Sequence, residues 1–193
     1  MTQKISKVTL YLRYEHKRSK KWNIYLYLTF IGNVERLKEV LEIFEKEKAD
    51  KLVILGDTSA YLSKSSDEEM AELINALKDK VEIIRGNCDT RSLEELLNQE
   101  MYDMDNLYVN GHFISITHGH YFNFSNLPPN CGEIFIQGHT HVPALQKIND
   151  KILANPGSVS RPRGVDLRCY ILIDEEKITL KTLEMKVVKE ITF

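Results

Sequence analysis

The chain has 193 residues, 42% of them apolar and 28% charged, with a formal charge of −2. This predicts one domain with a core large enough to need no staples, and it argues against a nucleic-acid or anionic-membrane surface. Cys88, Cys131 and Cys169 are an odd number without CxxC spacing, which indicates neither a disulfide framework nor a zinc knuckle and points to a reducing, cytoplasmic setting. No apolar stretch approaches the roughly 18 residues that span a bilayer.

The first 22 residues carry Lys4, Lys7, Arg13, Lys17, Arg18, Lys20 and Lys21 against the single acid Glu15. They are set apart as an atypical basic segment, and residues 23–193 are expected to form the domain. No apolar h-region follows the charges, which argues against a secretory signal.

Ile24 to Ile31 is apolar and aromatic and reads as a buried strand. Asn33 is suited to cap a helix with Val34, Leu37, Leu41 and Phe44 on one face. Lys51–Leu55 is a strand ending in Gly56-Asp57. A helix from Ser65 or Ser66 carries Met70, Leu73, Ile74 and Leu77. Val81–Arg85 is a strand ending in Gly86-Asn87, and a short helix covers Ser92–Asn98. This alternation predicts a layered α/β domain.

After residue 100 the pattern changes to strands and tight turns. Leu107–Val109 and Phe113–Thr117 flank Asn110-Gly111, a pair suited to a type I′ hairpin turn. Glu133–Gln137 is a strand ending in Gly138-His139. Ala144–Ile148 and Ile152–Ala154 form a second hairpin, and strands follow at Cys169–Ile173, Lys177–Leu183 and Lys186–Thr192. Two β-sheets packed face to face with helices outside accommodate this order.

Four polar clusters follow these strands: Gly56-Asp57, Gly86-Asn87-Cys88-Asp89, Thr117-His118-Gly119-His120 and Gly138-His139-Thr140-His141. Carboxylate, amide and imidazole groups at separate strand ends are the donors of a hydrolytic metal site. Asp57 and Asn87, each taken alone, also fit turn residues. The histidines tip the balance: four of the six in the chain stand in two His-x-His pairs, and on an extended segment both rings of a pair face one side. His118, His139 and His141 are therefore assigned as metal ligands. His120 is open between a ligand, a phosphate contact and a general acid.

Together with Asn155-Pro156-Gly157-Ser158-Val159-Ser160, these clusters resemble the signature of the calcineurin-like metallophosphoesterases, within the YfcE-like phosphodiesterase group. The resemblance runs from about Gly32 to the C-terminus. It implies a four-layer α/β-β/α sandwich of two mixed β-sheets flanked by helices, with a di-metal centre. Asp57 would bridge the metals, Asn87, His118 and His139 would complete one sphere, and His141 would serve the other. His120 is taken as the catalytic residue. Cys88 stands where many relatives carry a histidine, and Asp89 would orient neighbouring groups. Two divalent metal ions are implied, manganese first, with iron, nickel or zinc also suited to mixed N/O donors.

The first strand of this family ends in Asp-x-His-Gly, and here Thr29 and Ile31 occupy those places before Gly32. The metal served by His141 then keeps only Asp57 and His141, so hydrolysis is expected to be impaired. Two readings compete. One is a non-catalytic scaffold that binds a protein partner, as the retromer subunit of this fold does. The other is a reading-frame error: with codons shifted back by one base, Leu28-Thr29 permits Asp, Phe30-Ile31 permits His, and Lys21-Trp22 permits a Met start. The favoured reading is a metal-dependent phosphodiesterase whose first 31 residues are out of frame. Short loops, including 59–66 and 121–130, predict an open site for a small phosphodiester. Exposed strand edges near the C-terminus are suited to a homo-oligomer.

Overall fold

The computed structural model describes residues 25–29, 32–59 and 64–193. The basic segment 1–22, Ile31 and part of the loop 59–66 lie outside the described residues. The elements in chain order are β1 (Tyr25–Leu28), α1 (Val34–Lys46), β2 (Lys51–Ile54), α2 (Lys64–Ala76), a 3₁₀ turn (Lys78–Lys80), β3 (Val81–Ile83) and α3 (Arg91–Leu96). There follow β4 (Met104–Val109), β5 (His112–Thr117), β6 (Ile134–Gln137), β7 (Pro143–Ile148), β8 (Lys151–Pro156), β9 (Cys169–Ile173), β10 (Lys177–Thr182) and β11 (Val187–Thr192).

Local chemistry sets the boundaries. Asn33 caps α1 as its side chain accepts from the Arg36 amide at 3.0 Å. Thr90 does the same for α3, accepting from Leu93 N at 3.2 Å, so that helix begins one residue before the expected Ser92. α2 begins at Lys64, ahead of Ser65. Asn110 and Gly111 both adopt positive φ between β4 and β5, as the Asn-Gly pair requires.

The strands form two mixed sheets, one of six in the order β11-β10-β9-β1-β2-β3 and one of five in the order β4-β5-β6-β8-β7. This is the two-sheet α/β architecture the sequence predicts. Strand alternation splits the core into two slabs. Leu28, Leu52, Ile54, Ile83, Tyr170 and Leu172 pack against the helices through Leu37, Phe44, Met70, Ile74 and Leu93. Tyr27, Val53, Ile171 and Leu180 face the other way, onto Ile114, Ile116, Ile134, Ile136 and Ala154 of the second sheet.

The helical cover is one-sided. Among the described residues every α-helix precedes residue 97. Beyond the five-stranded sheet the covering segment is the loop 118–133, where Phe124 N donates to Gln137 Oε1 at 2.7 Å and the Phe124 and Phe135 rings meet edge to face. No helix among the described residues is long and apolar enough to cross a membrane.

One topological fact positions the site. β1, β2 and β3 are parallel neighbours, and so are β5, β6 and β8. Their C-terminal ends deliver the polar clusters to one rim, where ligands of α/β sheets gather.

Candidate metal centre

Each cluster sits where its strand stops and the backbone turns. Asp57 follows β2 at φ 58°, and His139 and His141 follow β6 at φ 62° and 61°. Side chains other than Gly, Asn and Asp seldom adopt this region, and a cluster of such residues is characteristic of functional sites. It also corrects the reasoning behind the His-x-His pairs. The loops are not extended, so their geometry is set by left-handed turns and not by strand alternation.

Two glycines make the approach possible. A Cβ on Gly56, itself at φ 86°, would lie 2.6 Å from His118 Nδ1 and 2.7 Å from the Gly86 backbone. A Cβ on Gly86 would overlap the Asp57 main-chain nitrogen and carboxylate. Only hydrogen at both positions lets the β2 and β3 loops close on each other.

Asp57 is buried at 4% exposure, and its Oδ1 accepts from Cys88 N at 2.9 Å. Asp89 joins the two loops: Oδ2 accepts from Asp57 N at 3.0 Å and Gly86 N at 2.7 Å, and Oδ1 from Ser59 N at 2.9 Å. Removal from water pushes the Asp89 carboxyl up to about 6, against the pull of those amide donors. Ser59 Oγ in turn donates to the buried Asp67 at 3.1 Å. Asp67 and Ser59 carry no motif signal, and only the fold places them beneath the site.

His118 is fully buried. Its Nδ1 lies 2.6 Å from Leu55 O, an acceptor only, so Nδ1 carries the proton. Burial pushes its pKa down to about 4, opposed chiefly by Asp57, and the ring is neutral near pH 7. The 3.4 Å approach of His118 Nε2 to Asp57 Oδ1 is therefore not an ion pair. Nε2 presents a lone pair, with Asn87 Oδ1 at 3.1 Å and His139 Nδ1 at 3.1 Å.

The donor atoms of Asp57, His118 and His139 all lie within 4.8 Å of one another. A carboxylate oxygen, an amide oxygen and an imidazole lone pair thus converge with no proton available from His118. This donor set fits a divalent cation. Asp57, Asn87, His118 and His139 come together as the sequence analysis expects.

His141 and His120 lie outside that cluster. His141 is 2% exposed, and neither ring nitrogen has a hydrogen-bond partner of acceptable geometry. Burial lowers its pKa first and the nearby Arg163 charge second, while the Arg161 main chain opposes them. Thr29, at the end of β1, is fully buried with its hydroxyl also unpartnered. It lies against Gly138, where an added Cβ would strike its side chain. The His120 ring lies tilted against the exposed Tyr121, centroids 4.0 Å apart, with its centroid 5.3 Å from that of His118. Burial and then His139 lower the His120 pKa, so the ring is mostly neutral at pH 7.

The calcineurin-like phosphoesterase superfamily domain matches residues 32–177. Phosphodiesterase YfcE of Escherichia coli K12 is 31% identical over 160 residues, covering 79% of this chain and 87% of that protein. The structure of E. coli YfcE, described as a phosphoesterase, gives a TM-score of 0.76 at 27% identity, covering 88% of this chain and 98% of that one. Vacuolar Protein Sorting 29 of Cryptosporidium parvum gives 0.61 at 15% identity, covering 90% and 100%, a likeness of fold alone. The chain belongs to the calcineurin-like phosphoesterase superfamily, and with it to the phosphoester hydrolases.

Proposed function

We propose that this member of the superfamily is a metal-dependent phosphodiesterase acting on small or exposed phosphodiesters in the cytoplasm. The observation that carries the reading is the convergence of Asp57, Asn87, His118 and His139, with the His118 tautomer held by Leu55 O. These four would hold one divalent ion, and Asp57 with His141 would hold a second, manganese being the first candidate. Bound there, the metals would polarise the phosphoryl group and lower the pKa of the attacking water.

The chain's own residues do the rest. Leu55 O fixes the His118 ring, Asp89 holds the two donor loops in register, and His120 meets the ester oxygens from the Tyr121 side. Neutral His120 serves as a hydrogen-bond donor at rest and carries a proton to the leaving group only when it is protonated.

Thr29 and Ile31 stand where the family supplies a carboxylate and an imidazole, so the second metal binds weakly in this chain and turnover is impaired. The unpartnered Thr29 hydroxyl and unpartnered His141 ring support this reading. We attribute the substitution to a reading-frame error upstream of Gly32, so that residues 1–31 are not the family's native sequence although β1 still pairs within the sheet. The family match beginning at residue 32 supports it. Sequencing the gene tests the attribution: an uninterrupted frame encoding Thr29-Phe30-Ile31 overturns it. Manganese-dependent hydrolysis of bis(p-nitrophenyl) phosphate tests the activity, which should be measurable but low. Its absence with every divalent metal would sink the reading.

The exposed edge strand β11, with Val187 and Val188 more than two-fifths exposed, is suited to pairing with a second copy. Sedimentation equilibrium of the intact chain decides that assembly.

A further inference from the structure

The loop leaving β8, residues 157–168, contributes nothing to the donor cluster, yet its main chain is fixed against the site. Asn155 Nδ2 donates to Gly138 O at 2.8 Å and to Thr140 Oγ1 at 3.0 Å, while its Oδ1 accepts from Gly157 N at 2.8 Å. Val159 N donates to Thr29 O at 3.1 Å, and Arg163 N to His141 O at 3.0 Å. Arg161 N donates to Ser158 Oγ at 3.0 Å. The loop is thereby tied to the ends of both β1 and β6, on the His141 side of the centre.

Its side chains behave differently. Arg161 and Arg163 are exposed, and among the described residues no hydrogen bond or ion pair engages either guanidinium. Arg36, Arg85 and Arg91 by contrast pair with Glu39, Glu94 and Glu95. Arg163 is close enough for its charge to act on His141. Two uncompensated guanidinium groups on a tethered backbone, beside a site for anionic esters, call for an anion that the chain itself does not supply.

We propose that Arg161 and Arg163 form an anion-recognition rim on the His141 side, selecting phosphodiesters whose ester arm carries a further phosphate or carboxylate. The proposal rests on the phosphodiesterase reading for the reaction, but not for the binding. A guanidinium offers paired donors in a planar fork that matches an oxyanion edge, and it stays charged at every pH the enzyme meets. Backbone bonds hold the loop, so replacing either side chain leaves the tethers in place.

The test begins with the full chain, ¹⁵N-labelled and without added metal, titrated with phenyl phosphate at low salt. The Nε resonances of Arg161 and Arg163 are expected to shift together and saturate. The Arg161→Ala/Arg163→Ala double variant should bind at least about tenfold more weakly, the scale of one good charge-assisted contact. Arg163→Lys, which keeps charge and loses the fork, should fall between. Unchanged affinity in the double variant, or equal shifts across all arginines, overturns the rim.

With manganese present, kcat/KM is then compared for two p-nitrophenyl diesters, one with a carboxylate on its second arm and one with a neutral arm. The double variant should lower the ratio between them at least about tenfold, by loss of that same contact. An equal loss on both esters overturns the selectivity. If neither ester turns over, the phosphodiesterase reading fails, while the metal-free titration still decides the rim.

Discussion

The two halves of the site differ in how completely they are built. Around Asp57, Asn87, His118 and His139 each loop is held by the other: Asp89 clasps three amides, Leu55 O sets the His118 tautomer, and the glycines allow close approach. Around His141, three buried side-chain atoms, Thr29 Oγ1 and both imidazole nitrogens, lack a hydrogen-bond partner of acceptable geometry. Burying such groups costs free energy unless something satisfies them. The first half brings together donors that could hold a cation, whereas the second leaves buried polar atoms without such a cluster.

The sharpest way to break the contrast is Asp57→Ala, which removes the carboxylate of the complete half. We expect manganese affinity by calorimetry to fall at least about 100-fold and turnover with it, more than loss of an orienting group would cause. Next, Thr29→Asp with Ile31→His should rebuild the other half. Metal analysis should then find one more equivalent per chain, with diester turnover up by about one to two orders of magnitude. No gain would favour a scaffold role over a damaged enzyme.

Asp89→Asn probes the clasp and not the donors. Metal affinity should drop about 10- to 100-fold, the range for groups that orient ligands. Gly86→Ala forces a Cβ onto Asp57, and chemical denaturation should show a loss of about 1–3 kcal/mol. The smallest effect lies at the base of the same loop. Glu94 is held below its ordinary value of 4.5, chiefly by its hydrogen bond from Arg85. Its contribution is present above pH 4.5 and fades as pH falls through the lower folded value. With both side chains about a third exposed, the wild type should lose under about 1 kcal/mol there relative to Glu94→Gln, read from pH-dependent denaturation.

Much of this was legible in the chain because the signals are local. The Asn33 cap, the Asn110-Gly111 turn and the strand Cys169–Ile173 appear as expected. The candidate donors Asp57, Asn87, His118 and His139 stood out in the chain because each lies at the end of an apolar strand beside a glycine. The clasp partners did not. Asp67 meets Ser59 from a helix eight residues on, and the Leu55 carbonyl is backbone, which no residue type announces. The Thr90 cap was missed because the polar run 86–92 offers several competing starts.

The sequence by itself determined which polar groups stand at the strand ends, because these are fixed by residue identity. It also showed that Thr29 and Ile31 carry neither a carboxylate nor an imidazole. Only the tertiary structure decided how the donors divide. Parallel neighbours in both sheets bring distant strand ends to one rim, and left-handed turns at Asp57, His139 and His141 set which rings converge. Convergence depends on backbone direction and packing between segments far apart in the chain, which no local pattern encodes.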